Sequence, residues 1–162
     1  MSVSNILRPI TTYSMTFYTR PPGGIRIYPG EMMRIMLLQL LKAALYGAVS
    51  ESVPERSVAV AFSGGVDSSL LAKICKDIGK NVTLITVGFP DSHDVRFSTA
   101  IASKMGMKQD VVKIELDDFR YSLGLVRKSV KCENTSHIEN CIAYHYLSKA
   151  AAGAGLSVLL SA

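Results

Sequence analysis

The sequence predicts an α/β fold: a parallel sheet with helices on both faces, preceded by a short β-hairpin and a helix. Three observations predict it. The run Val58-Ala59-Val60-Ala61-Phe62 is apolar at every position, as expected of a strand covered on both faces. Strand-like and helix-like stretches then alternate to the end of the chain, which calls for a parallel sheet built through crossover helices. Finally, the Ser63-Gly64-Gly65 turn, Gly88-Phe89 and Ser161-Ala162 all fall at carboxyl ends of such strands, where open α/β sheets hold ligands.

Residues 1–12 carry no clear pattern. Tyr13, Met15 and Phe17 alternate before Pro21-Pro22-Gly23-Gly24, and Ile25 and Ile27 alternate after it. This predicts a β-hairpin closed by Pro29-Gly30. Residues 31–49 read as a helix whose apolar face is wide enough to require cover from the sheet or from a second subunit. Arg34, Gln39 and Lys42 interrupt it, leaving it too polar and too short to span a membrane. Residues 50–56, with Pro54, form a linker, so the chain is expected to divide into 1–52 and 53–162.

After the core strand, helical spacing resumes from Ser68 through Cys75, with Gly79 as its stop. Residues 82–87 form the second strand, and 88–91 a loop at its carboxyl end. Residues 94–105 form a helix with Val95, Ile101, Ala102 and Met105 inward and Gly106 as C-cap. A strand at 110–114, a helix at 117–128 begun by two acids, a longer helix at 137–152 and a strand at 156–160 complete the pattern.

A net charge of +5 on 162 residues, with Lys and Arg scattered rather than blocked, suits an anionic ligand without choosing between ATP and RNA. The three cysteines, Cys75, Cys132 and Cys141, are odd in number and form no CxxC pair, so neither a disulfide framework nor a zinc site is indicated. Cys75 is expected to pack in the core. No charged segment followed by an apolar run marks a signal peptide, and a cytoplasmic protein without a membrane partner is expected.

The chemistry concentrates in Ser63-Gly64-Gly65-Val66-Asp67-Ser68-Ser69. Two glycines able to take positive φ let backbone N–H groups converge on an anion. The helix that follows adds unpaired N–H groups and a partial positive charge, and Ser63, Ser68 and Ser69 add hydroxyls. Such a site suits a phosphate or pyrophosphate. Asp67 fits beside an anion once a divalent metal is present, because Mg²⁺ takes a carboxylate together with phosphate oxygens. The competing interpretation is a helix cap in which Asp67 and Ser68 merely satisfy the first turn. The Lys of a G-x-x-x-x-G-K-[ST] loop is missing, and no G-x-G-x-x-G is present.

The same seven residues resemble the SGGxDS signature of the PP-loop, or N-type ATP pyrophosphatase, superfamily, whose fold is adenine nucleotide alpha hydrolase-like. The resemblance implies cleavage of ATP between its α and β phosphates, adenylation of a substrate oxygen, and Mg²⁺ as cofactor. Thr86-Val87-Gly88-Phe89-Pro90, then Asp94 and the helix ending Lys104-Met105-Gly106, are similar to the asparagine synthase branch, as is the ending Val158-Leu159-Leu160-Ser161. Over residues 53–162 that resemblance implies an AMP-forming amide ligase. Phe62 and Val87 would line the adenine through their backbones; Ser63, Gly64, Gly65, Val66, Asp67, Ser68 and Ser69 would hold the phosphates. Asp67 would also bind Mg²⁺, and Ser161 would lie at the nucleotide edge. No catalytic side chain is assigned. Packing alone is the competing role for Phe62 and Val87, and a simple turn for Ser161.

Ala162 stands where the family has glycine, and the family's GxDE metal-binding segment is expected beyond it. Met1 is followed by Ser2 rather than a nucleophilic cysteine, so nitrogen is expected from free ammonia or a separate glutaminase, with a small carboxylic acid as acceptor. The apolar helix hints at a homodimer. A second polar concentration, 131–141, offers Glu133, His137 or Glu139 as substrate contacts, against an exposed loop in which Ser136 and Glu139 form a capping box. Cys132 and Cys141 open the alternative of a tRNA-modifying PP-loop enzyme that transfers sulfur or nitrogen. A non-catalytic nucleotide-binding module is the third alternative.

Overall fold

The computed structural model describes residues 29–130 and 134–162. The expected hairpin, together with Lys131, Cys132 and Glu133, lies outside the described residues. The chain forms two units, Met1–Leu38 and Gln39–Ala162. The division falls inside helix α1 (Pro29–Ser52), which also takes in residues 50–52 of the expected linker.

Pro29 and Gly30 are the first two residues of this helix. Proline suits the first helical position, because its missing N–H would have no partner there. Between Met32 and Leu41 the large apolar side chains are exposed. Within the second unit the sheet leaves Leu40 and Leu41 uncovered, and burial begins only around Tyr46 and Val49. By length and composition Gly30–Ser52 is long and apolar enough to cross a membrane. The polar interruptions at Arg34, Gln39 and Lys42 do not bring it below that threshold, contrary to the sequence expectation.

The second unit carries a four-stranded sheet in the order β3-β2-β1-β4, all pairs parallel. The strands are β1 (Ser57–Ala61), β2 (Asn81–Gly88), β3 (Gln109–Lys113) and β4 (Leu159–Leu160). Val58, Ala59 and Val60 are fully buried, as a central strand covered on both sides requires. Alternate residues serve opposite faces. Val60, Phe62 and Leu84 pack with Ala72 of α2 (Val66–Asp77) and Ala102 of α3 (His93–Met105). Ala59 and Ile85 pack with Leu147 and Ala151 of α5 (Thr135–Gly153) on the other side. Each fully buried Leu or Ile contributes about 1.5–3 kcal/mol, so Leu84 and Ile85 tie the two layers to β2. Helix α4 (Leu116–Ser129) is joined to α5 by a Ser122–Tyr146 hydroxyl pair at 2.7 Å.

Three local details differ from the sequence expectation. The last strand is two residues long because Leu156 is still engaged in ending α5: its N–H donates to the Ala151 carbonyl at 2.9 Å, after Gly155 at φ 72°. Helix α5 starts at Thr135 rather than His137, capped by Asn134, whose side chain accepts from the Ser136 N–H at 2.9 Å. An Asn oxygen reaches the amide two residues on without strain, and this replaces the Ser136–Glu139 box. Helix α4 begins at Leu116, one residue before its expected start, and is capped by Glu115 in a reciprocal box with Asp118, one of the two acids expected to begin it. Gly106 caps α3 in the left-handed conformation, as expected.

Candidate functional site

A cleft of about 490 Å³ opens at the carboxyl ends of the strands. Its floor follows from how β1 ends. The Phe62 N–H donates to the Ile85 carbonyl at 2.8 Å, extending the ladder by one residue. Gly64 then turns the chain at φ 78°. A Cβ there would stand 2.9 Å from Ser98 Cα and 3.2 Å from the Phe97 ring, so both conformation and space require glycine. Gly65 behaves differently. It caps α2 in extended backbone, φ −67° and ψ 169°, so positive φ is used at one of the two glycines and not at both.

The serines hold the turn together. Ser63 Oγ accepts from the Gly65 N–H at 3.2 Å and pairs with Ser68 Oγ at 3.2 Å. The Ser68 hydroxyl also lies 3.3 Å from the Gly65 carbonyl as a donor. The N-cap position of α2 is Gly65, which has no side chain to cap the helix, and of the two candidate capping residues Ser68 is the one that makes a hydrogen bond in the first turn. The first helical bond runs from the Ser69 N–H to the Gly65 carbonyl at 3.0 Å. The amides of Val66, Asp67 and Ser68 precede it, where a helix has unused donors and partial positive charge.

Phe62, Ser63, Gly65, Val66, Asp67, Ser68, Val87 and Ser161 all line the cleft. Gly64 and Ser69 do not. Gly64 is buried against α3, and Ser69 Oγ is buried without a hydrogen-bond partner. The two glycine and serine positions behind the surface thus shape the turn, while their neighbours face the cleft.

The opposite wall was less visible in the sequence. Asn140, Ala143, Tyr144 and Leu147 of α5 line it, and the Tyr144 hydroxyl donates to Ser161 Oγ at 2.9 Å. Their spacing of three, four and seven places one stripe along α5, and that spacing was the available signal for the two polar members. Asp94, in the first turn of α3, brings a second carboxylate to the cleft. His137 and Glu139 are exposed and are not among the lining residues, and neither is Cys141.

The donor set suits a shared magnesium site. Among the described residues, no group of three or more His, Cys, Asp or Glu stands together to enclose an ion. Two carboxylates, Asp67 and Asp94, face a cleft that also presents open amides. Mg²⁺ is commonly held this way, by one or two carboxylates with phosphate oxygens and water completing its shell.

The parallel sheet with helices on both faces, and the glycine turn leading from β1 into α2, make this a PP-loop fold. Asparagine synthase is the family that matches, over residues 40–162, and the chain belongs to that family. Among solved structures, it is similar to the NH3-dependent NAD synthetase from Campylobacter jejuni subsp. jejuni NCTC 11168, in complex with the nitrate ion. There the identity is 19%, the TM-score 0.51, and the match covers 70% of this chain and 52% of that one. A predicted subunit of tRNA methyltransferase from Methanocaldococcus jannaschii DSM matches at 26% identity and a TM-score of 0.43, over 66% of this chain and 52% of that one. The chain therefore spans about half the length of each of these structures. No curated protein matches it.

Proposed function

We propose that the cleft binds ATP and that the protein is an AMP-forming ligase of the asparagine synthase type. The observation that carries this reading is the turn itself: three consecutive amides, Val66 to Ser68, at a helix N-terminus on the cleft, with the Asp67 carboxylate beside them. An anion is favoured there by the amides and the helix dipole together. In this reading the amides cradle the β and γ phosphates, Phe62 and Val87 border the adenine through their backbones, and Ser161 lies at the nucleotide edge. Mg²⁺, held through Asp67 and phosphate oxygens, would neutralise charge on the departing pyrophosphate.

A carboxylate oxygen of a small acid then attacks the α-phosphorus, the bond to the bridging oxygen breaks, and pyrophosphate leaves with that electron pair. Ammonia, free or delivered by a separate glutaminase, attacks the acyl carbon and expels AMP. The chain's own contribution is orientation and charge neutralisation, with no nucleophilic side chain. A cytoplasmic setting, where ATP and Mg²⁺ are abundant, and a homodimer through α1 belong to the same proposal.

The test is ATP–pyrophosphate exchange with Mg²⁺ across small carboxylic acids including aspartate, with bulk tRNA as a separate arm. Exchange that depends on one acid supports the ligase and identifies its substrate. Exchange only with tRNA moves the reaction to a base, and ATP binding without exchange reduces the protein to a binding module. Asp67→Asn is expected to lower exchange at least about 100-fold, the scale on which removing one charge-stabilising group acts. Its circular dichroism should be unchanged, since Asp67 is exposed.

A further inference from the structure

Thr86, which lines the cleft beside Val87, heads a chain of buried and half-buried hydrogen bonds that the nucleotide reading does not use. The Thr86 hydroxyl, on a residue 4% exposed, donates to the Phe62 carbonyl at 2.6 Å. Gln109 Nε2 donates to Thr86 Oγ1 at 2.8 Å and to Ser98 Oγ at 3.2 Å. The Ser98 hydroxyl, fully buried, donates to the Val95 carbonyl at 3.0 Å. Both hydroxyls give their single proton to a carbonyl, so each can only accept from Gln109, and only the amide NH₂ can supply two protons. The network thus has one polarity. It joins the end of β1, β2, the start of β3 and α3.

It also reaches the turn by two routes. Phe62 directly precedes Ser63, so the Thr86 bond fixes the peptide from which the turn departs. Ser98 is the residue whose Cα lies against Gly64, within 2.9 Å of where a Cβ would stand. The bond from Gln109 therefore helps set how closely α3 approaches the left-handed glycine.

We infer that Thr86, with Gln109 behind it, is a positioning residue for the Ser63–Ser68 turn, holding its amides in the geometry that phosphate transfer uses. This rests on the ATP-binding reading for its functional consequence, but not for its structural one. A packing role alone would lower stability and leave turnover per folded molecule unchanged. A positioning role acts on the reacting geometry, where a misplacement near 1 Å costs about 100-fold in rate.

The experiment compares the full chain with Thr86→Val, which keeps the shape and removes the hydroxyl, and Thr86→Ser, which keeps the hydroxyl. Two readouts are taken well below every melting temperature: steady-state ATP–pyrophosphate exchange, and hydrogen exchange of the amides at 63–68 without nucleotide. Thr86→Val is expected to lose roughly 10- to 100-fold in kcat, with the KM for ATP held within about threefold, and its turn amides should exchange faster. Thr86→Ser should stay within about threefold of the parent in both. Parental kcat in Thr86→Val, or turn amides as protected as in the parent, overturns the inference. If the parent itself shows no nucleotide activity, the ATP reading fails, and the hydrogen-exchange comparison still decides whether Thr86 orders the turn.

Discussion

Gly64 is the residue at which the chain has least freedom. Gly64→Ala would place a methyl against backbone at Ser98 Cα while forcing φ 78° on a residue with a Cβ. It should destabilise by about 1–3 kcal/mol and abolish nucleotide binding, as thermal unfolding and calorimetry would show. Gly88→Ala meets a side-chain atom instead, Val95 Cγ2 at 2.7 Å, and a valine methyl can move aside at smaller cost. A second residue-scale feature is the exposed trio around Asp77. Hydrogen bonds from Lys73 and then Tyr46 hold its carboxyl below the ordinary 3.8, Lys73 reaching both Asp77 oxygens and Tyr46 one of them. A depressed carboxyl pKa contributes stability that is present above the unfolded value and lost as pH falls through the folded one. The Asp77 hydrogen bond raises Lys73 and Tyr46 in turn, so their share is present below the unfolded values and lost in alkali. Asp77→Asn should therefore flatten the melting temperature against pH below about 4 and again above about 10. A curve parallel to the parent at both limbs would refute the coupling.

At the scale of elements, the sequence was most legible where one element carries one dominant pattern. The strand-turn-helix from 57 to 77 could be read to within a residue or two, because an apolar run, two glycines and a helical repeat follow without overlap. The cleft's α5 wall was not legible. Asn140 and Tyr144 share a stripe with Ala143 and Leu147, and a mixed stripe reads as packing until a sheet edge and Ser161 are seen beside it. The Thr86–Gln109 bond was hidden for a related reason, since it joins two strands by side chains that have no fixed sequence spacing. For helix α1 the composition calls for cover by the sheet or a second subunit, and the sheet does not cover Leu40 and Leu41. Leu40→Gln and Leu41→Gln should then shift stability by no more than about 0.5 kcal/mol each in dilute monomer. A loss several times larger, growing with protein concentration, would show instead that these positions are buried between copies.

For the molecule as a whole, the parallel order β3-β2-β1-β4 places the first strand in the middle and the last at its side. Strands β1, β2 and β3 are linked by short excursions through α2 and α3, whereas Ala59 waits for Leu159, near the other end of the chain. Contacts between distant residues bear their loop-closure entropy before they contribute any attraction. The sheet should thus assemble from β1–β3 outward, with β4 docking late on only two residues and α5 covering the remaining face. That order divides the cleft in time. The glycine turn belongs to the part that forms early, and the Tyr144–Ser161 wall to the part that closes last. A ligand touching both halves would bind the finished state alone, and by mass action would draw the late step to completion: the nucleotide site would double as the latch on the fold.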